Sequence, residues 1–297
     1  MTFRRIVSYG EESVYGVPAE DLSQWIGGAT KFSGGVELAS EDVASLSGIR
    51  RRKTMVHGVD TSPQLEYYVQ TGRFFKYGFG SVSNTGTSPP YIHTLRISDG
   101  YELPSITLLE HRISGAGGHG YLYTGCRVES ITVSWEEDGL LTSSVELLAQ
   151  RPIKTTSLPS VEPDTRDYFR SSSKTVTING VENSYVLEGS ISLTNNHVRL
   201  PRVGDYQGRP IADVADITAE LTLYYLDSSI YELMLNKTLF DVVVRFQRSA
   251  SDYIEFRLFD CYASVDSELA AEGELMQTLT LKPSDLEVEI SDDIPAY

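Results

Sequence analysis

The sequence lacks any run of about 18 consecutive apolar residues, so no membrane-spanning helix is expected among its 297 residues. No apolar run follows the arginines Arg4 and Arg5, so a secretory signal is not expected either. Basic residues are also few: 25 Lys and Arg stand against 41 Asp and Glu, which gives a formal charge of -16. This balance argues against a surface that grips nucleic acid, because phosphate binding needs clustered lysine and arginine.

Recognisable catalytic and metal-binding patterns are missing as well. None of the five histidines has a partner at the spacing of a zinc site, and no G-x-S-x-G nucleophile motif occurs. The carboxylates of Glu136, Glu137 and Asp138 invite a hydrolase interpretation, but adjacent turn positions favour a solvated tip. The glycine-rich residues 114–120 lack the Lys-Ser/Thr of a phosphate-binding loop and predict a hairpin tip. We therefore predict a protein that is not an enzyme and that needs no metal or cofactor.

What the sequence does contain is one pattern that occurs twice. Residues 126–147 (CRVESITVSWEEDGLLTSSVEL) and residues 261–281 (CYASVDSELAAEGELMQTLTL) each begin with a cysteine and continue as two apolar-alternating runs around a polar break. Leucines follow the glycine of each break at the same distances. The positions that we predict to be equivalent in core and turn are Cys126, Gly139, Leu141 and Leu147 in the first copy, and Cys261, Gly273, Leu275 and Leu281 in the second.

A second correspondence precedes these stretches. Residues 65–69 and 221–226 both read as tyrosine-rich strands, and each is followed by a short apolar run, at residues 73–77 and 230–234, with features of a helix. Duplication predicts that the two cysteines lie in different domains, so both are expected to be buried thiols and not a disulfide.

The order of these elements predicts a mainly β protein. We expect two tandem β-sandwich or barrel domains, each with a short flanking α-helix, together with long loops and an N-terminal arm. The predicted division is a first domain over residues 1–152, a Pro- and Ser-rich linker over 153–172, and a second domain over 173–297. Asn179-Gly180, between alternating apolar residues, predicts a tight hairpin at the start of the second domain.

Charges at two places are candidate contact residues. Arg50, Arg51 and Arg52, with Lys53, form the basic run, which is either a nucleic-acid patch or an exposed loop that pairs with acidic neighbours in the same or the next subunit. Glu136, Glu137 and Asp138 are candidates for the edge of an interface or lumen. The 18 tyrosines fit either subunit interfaces or the ordinary preference of strands for aromatic residues.

Three features together resemble the tail tube proteins of tailed phages and related archaeal viruses. They are residues 9–18 (YGEESVYGVP), the repeated strand-helix units, and residues 125–133 (GCRVESITV) before the acidic turn. The resemblance implies β-sandwich domains that form a hexameric ring, with rings stacking into a hollow tube through which DNA passes without specific binding. Two domains in one chain then imply a trimeric, pseudo-hexameric ring with an acidic lumen.

The resemblance also implies partners and a location. These are further copies of the chain, a tape-measure protein and tail-tip or terminator proteins, in a virion tail assembled in the host cytoplasm and without membrane insertion. The alternatives are another tail or virion component, such as a tail terminator or distal tail protein, an adhesin-like β-sandwich binding module, and a carbohydrate-active β enzyme.

Overall fold

A computed structural model describes residues 4–43, 53–114, 117–199, 208–225, 228–269 and 275–297. Its described part contains twenty-two strands and two short α-helices. The strands from the N-terminal part of the chain are β1 (Arg4–Glu11), β2 (Gln24–Trp25), β3 (Gly28–Ser33), β4 (Val36–Val43), β5 (Lys53–Thr61), β6 (Gln64–Tyr68), β7 (Gly80–Thr85), β8 (Tyr91–Ile97), β9 (Ile106–Ser114), β10 (Gly117–Trp135), β11 (Thr142–Leu148) and β12 (Ile153–Thr155).

Those from the C-terminal part are β13 (Lys174–Ile178), β14 (Val181–Glu182), β15 (Val186–Thr194), β16 (Val198–Arg199), β17 (Pro210–Ile211), β18 (Asp216–Tyr224), β19 (Phe240–Ser249), β20 (Asp252–Leu269), β21 (Leu275–Lys282) and β22 (Asp285–Asp292). The helices are α1 (Lys76–Phe79), which directly follows the 3-10 turn Arg73–Phe75, and α2 (Ser229–Leu235). The predicted mainly β fold is confirmed. We call β1 to β12 the first half and β13 to β22 the second half.

Most strands belong to three open antiparallel sheets. The long sheet has the order β3-β6-β11-β10-β15-β18-β21-β20. The first outer sheet has the order β2-β1-β9-β10-β12. The second outer sheet has the order β14-β13-β19-β20-β22-β8-β7. The hairpin β4–β5 and the pair β16–β17 form separate two-stranded sheets.

Two long strands, β10 and β20, each pass from an outer sheet into the long sheet. The crossing in β10 is at Cys126, and the crossing in β20 is at Cys261. The residue before each cysteine has a left-handed backbone: Gly125 has φ 59° and Asp260 has φ 48°. Such a residue bends a strand sharply, and glycine or aspartate tolerates the conformation better than most residues. The bend lets one strand contribute to two packed layers.

The core lies between the long sheet and the outer sheets. Strand β18 shows why one face of the long sheet packs on the core. Ala219, Leu221 and Leu223 alternate with polar residues along the strand, and all three are buried. Buried residues of both halves form one hydrophobic cluster. Strand pairs β10–β15 and β8–β22 also join the halves. The predicted division into residues 1–152 and 173–297 therefore stays a prediction.

The segments predicted to be an arm and a linker are both packed on the body of the protein. The first residues of the predicted N-terminal arm form a strand, since β1 pairs with both β2 and β9. Residues 153–155 of the predicted linker form β12, and Phe169 is buried. The backbone of Phe169 bonds to Val69 and Leu141. The predicted hairpin at Asn179-Gly180 is confirmed, with φ values of 51° and 77° between β13 and β14.

Candidate assembly surface

The long sheet has one apolar face on the core and one polar face toward solvent. The alternation is strict enough to align small hydroxyl side chains across neighbouring strands: Ser144 lies opposite Thr132, Thr132 opposite Ser192, and Ser192 opposite Thr218. Thr132 and Ser192 share a hydrogen bond of 2.9 Å between their hydroxyl groups. A face of this kind holds water well and offers no apolar patch to a passing molecule.

Negative charge predominates on this polar face. Lys31 and Lys282 are its lysines among the described residues, and Lys31 lies opposite Glu66. The carboxylates on the same face are Glu66, Glu146, Glu188, Asp216 and Glu220. A hollow of about 640 Å³ lies on this face beside the β10–β11 turn, and Glu66, Glu188 and Glu220 are among the residues that line it. The charge of this face would repel phosphate.

At the centre of the sheet, the two halves join through β10 and β15. The register runs from Ser130 opposite Thr194 to Trp135 opposite Gly189. A Cβ atom on Gly189 would come within 2.5 Å of the Trp135 indole, so glycine is needed where the ring covers the neighbouring strand. Trp135 in turn packs edge-on against Phe246, with ring centroids 5.2 Å apart. This junction is therefore a packed seam.

The strands on either side of the seam repeat the same arrangement. The order β3-β6-β11-β10 in the first half matches β15-β18-β21-β20 in the second, and each unit has a bulge at the same place. The register shifts between Ala29 and Lys31 in β3 and between Val186 and Glu188 in β15. Strand β3 and the second part of β20 each have a pairing partner on one side in the part of the chain that the structure describes. They are the two open edges of the long sheet.

A family model for phage tail tube proteins matches residues 2–289. The chain belongs to the phage tail tube protein family. A search of curated proteins found no match. Membership makes this tail tube protein a structural component of the virion tail and not an enzyme, as predicted.

The N-terminal motif that carries the resemblance is held by a buried carboxylate. Glu12 accepts hydrogen bonds from the backbone N–H of Gly125 at 2.7 Å and of Gly16 at 2.8 Å, and from the Thr107 hydroxyl at 2.8 Å. Gly16 has φ 77°, which favours glycine. In this tail tube protein the motif therefore ties the first loop to the point where β10 bends.

The residues predicted to be equivalent differ in how far they are buried, and their equivalence stays a prediction. Those that lie fully buried are Cys126, Leu141, Leu147, Cys261 and Leu281. Gly139 and Leu275 are half-buried, and Gly273 lies outside the described residues. Both cysteines are free thiols. Burial raises the pKa of both, that of Cys261 to about 12.

Only some of the predicted contact charges lie within the described residues. Glu136, Glu137 and Asp138 are exposed on the turn between β10 and β11, which closes with a bond from Gly139 N–H to Glu136 O. Burial lowers the pKa of Lys174, and the negative charges of Glu137 and Asp138 oppose that shift. Arg50, Arg51 and Arg52 lie outside the described residues.

Sequence reasoning missed the carboxylates on the polar face of the long sheet and pointed to the turn instead. The available signal was the period of two: Glu66 stands between the buried Leu65 and Tyr67, and Glu220 between Ala219 and Leu221. Within the described ranges, no three His, Cys, Asp or Glu residues are grouped as a metal site would need. No helix in the same ranges has the length and apolar character to cross a membrane.

Proposed function

We propose that three copies of this tail tube protein close into a pseudo-hexameric ring and that rings stack into the conduit for DNA ejection. The strand order of the long sheet carries the proposal. Its two four-stranded units have the same order and the same bulge, which supports duplication of a tube domain. The seam between β10 and β15 then shows how one unit joins the next.

The same seam can form between copies. The edge offered by residues 262–269 of β20 corresponds to the part of β10 that pairs with β15, and β3 corresponds to β15. Pairing β20 of one copy with β3 of the next satisfies both open edges and closes the ring after three copies. Three copies of an eight-stranded sheet give 24 strands around the lumen.

In this ring the polar face of the long sheet lines the channel. Its excess of carboxylates over lysines supports an acidic lumen, which repels DNA phosphates at short range and lets the duplex slide. Screening limits the repulsion to about 8 Å at physiological salt, so it acts only on DNA inside the channel. A tape-measure protein before ejection, and tail-tip and terminator proteins at the tube ends, are the other proposed partners, with assembly in the host cytoplasm.

Cryo-electron microscopy of the purified protein, at high concentration and after addition of tail-tip proteins, tests this proposal. The expected particles are rings or tubes with three copies per ring, pseudo-sixfold density, and Glu66 and Glu220 facing the channel. Rings of six copies, or monomers under both conditions, would contradict the ring. A channel lined by basic residues would contradict the acidic lumen while leaving the ring in place.

A further inference from the structure

The first half buries all of α1 except Lys76, which is half-buried, and the second half helps to cover it. Asn195, which directly follows β15, is buried and donates from Nδ2 to the carbonyl oxygen of Gly78 in α1, at 3.1 Å. The same amide donates to the carbonyl oxygen of Val128 in β10, at 2.9 Å. Phe256 of β20 packs near Phe75, with ring centroids 6.0 Å apart. The half that supplies β15 therefore also supplies part of the cover over α1.

The second half leaves one face of its own helix exposed. Helix α2 follows β18 as α1 follows β6, and it packs on β20 as α1 packs on β10. Yet Ile230 is the one fully buried residue of α2, while Tyr231 is 45% and Leu235 60% exposed. A cleft of about 550 Å³ lies beside the helix, between it and the β13–β14 hairpin. Tyr231 and Leu235 are four positions apart in the helix and so share one face, which we call the α2 patch.

A second apolar surface is exposed at the other end of the long sheet. Strand β4 follows β3 after two residues. The matching bulges place Ser33 in register with Ser190, so Leu38 is as far along the chain from that match as Asn195 is. The side chains of Val36 and Leu38 are 50% and 66% exposed. Gly35 has φ 53° at the bend, and its carbonyl oxygen accepts a bond from Ser62 N–H. This fixes where β4 leaves the sheet.

We infer that these two surfaces cover each other between copies of the chain: Val36 and Leu38 of one copy pack on the α2 patch of its neighbour. The inference rests on the proposed ring. When β3 of the next copy takes its place beside β20, the start of β4 comes to the position over α2 that Asn195 holds over α1. The cover within the chain combines the Asn195 amide with the Phe256 ring. The cover between copies is apolar on both sides, which suits a second copy of the chain and not a charged partner.

Disulfide trapping tests the contact in assembled rings. The double variant Leu38→Cys with Leu235→Cys is expected to give covalent dimers and trimers, and nothing larger, on a non-reducing gel. The native Cys126 and Cys261 are buried and do not compete. The matched control is Leu235→Cys with Val17→Cys, since Val17 is also exposed but lies in the loop before β2. Equal trapping of the control pair would overturn the inference.

Charge variants give a second measurement that does not depend on a disulfide. Leu38→Asp, on the exposed side of a hairpin, should leave the monomer folded but lower the yield of rings about tenfold, because it buries an unpaired charge. Combining Leu38→Asp with Leu235→Lys should recover most of that yield. Val214→Asp, at another exposed apolar position, is the control and should assemble normally.

The outcomes separate this inference from the proposed function. Threefold rings that neither trap the 38–235 pair nor respond to Leu38→Asp would overturn the contact and leave the ring standing. An α2 patch that is covered in rings by another tail protein would overturn it as well. A failure of the wild-type chain to form rings would overturn both.

Discussion

The two halves of this tail tube protein place the same element in different surroundings. Both insert a short helix after the second strand of a four-stranded unit, and both helices pack on the long strand that changes sheets. Helix α1 and its preceding turn bury four aromatic residues, while α2 buries one aliphatic residue. In the part of the chain that the structure describes, only the first half has the extra pair β7–β8, which contacts α1 and extends the second outer sheet.

This difference shows that neighbours, and not the apolar content of a helix, decide what it buries. The sequences of both helices are rich in apolar residues, but α1 lies between its own sheet, the added hairpin and the second half. Within the described residues, the main packing partner of helix α2 is β20 of its own half. The following predictions compare matched positions and run from the largest expected effect to the smallest.

Truncating an aromatic side chain should affect the two helices very differently. Phe74 is buried and packs edge-on against Tyr9 at 5.2 Å and Tyr67 at 6.1 Å. Phe74→Ala should lower the free energy of unfolding by about 3–5 kcal/mol, whereas Tyr231→Ala on α2 should change it by less than about 0.5 kcal/mol. Urea unfolding of the unassembled protein measures both. Similar losses for the two variants would mean that α2 is covered within the single chain.

The seam between the halves should be intolerant of one added methyl group. In Gly189→Ala the new Cβ would lie 2.5 Å from the Trp135 ring and 2.7 Å from the carbonyl oxygen of Glu220. Overpacking of this kind costs about 1–3 kcal/mol. Gly139→Ala is the matched control, because its nearest neighbours would be at an ordinary 3.4 Å. Thermal unfolding that shifts equally for both would show that the seam relaxes freely.

Much of this architecture could be predicted from the sequence, because strand alternation and turn chemistry are local. The buried Leu141, Leu147 and Leu281 and the Asn179-Gly180 hairpin follow from period and turn type alone. The strand pairs that join the two halves could not be predicted in this way. Pairing of β8 with β22 joins residues almost 200 positions apart, and nothing in either strand specifies that partner.

Some residues of the candidate assembly surface could likewise be predicted from the sequence, and others could not. The acidic turn was visible as a run of carboxylates, whereas the lumen candidates Glu66 and Glu220 are single residues in different strands. Only the sheet order brings them to one face. The role of Asn195 could not be predicted for another reason. Its side-chain amide donates to two backbone carbonyl groups in the first half, and every residue type carries such an acceptor.

A second link between the halves should depend on pH. Asp292 of β22 lies 3.2 Å from His93 of β8, and it accepts bonds from the Tyr297 hydroxyl and, at 2.9 Å, from Ile294 N–H. Burial raises the pKa of Asp292, but these bonds outweigh burial and hold it below the ordinary value of 3.8. A carboxyl with a depressed folded pKa stabilises the protein above its unfolded pKa, and the contribution is lost as pH falls through the folded value.

Asp292→Asn should therefore lower the free energy of unfolding at pH 7 by about 1–3 kcal/mol. The difference from wild type should shrink once the pH is below about 3.8. The neighbouring Asp293 is largely exposed and pairs with Arg166 at 2.9 Å, so Asp293→Asn should cost at most about 1 kcal/mol at any pH. Denaturant unfolding at both pH values checks this. A gap between Asp292→Asn and wild type that stays constant with pH would show that the carboxylate charge contributes nothing.

The mildest comparison changes no residue and uses the two native thiols, one in each half. Cys126 and Cys261 sit at the two sheet crossings, both fully buried, and burial raises the pKa of each thiol. Because the thiolate is the reactive form, neither should react with a thiol reagent in the native protein.

If the single hydrophobic cluster makes the halves one cooperative unit, both thiols should become reactive at the same urea concentration and rate. Labelling followed by mass spectrometry of the two peptides measures this. Reaction of one cysteine well before the other would instead show that the halves unfold as separate domains, with the strand pairs β10–β15 and β8–β22 too weak to couple them.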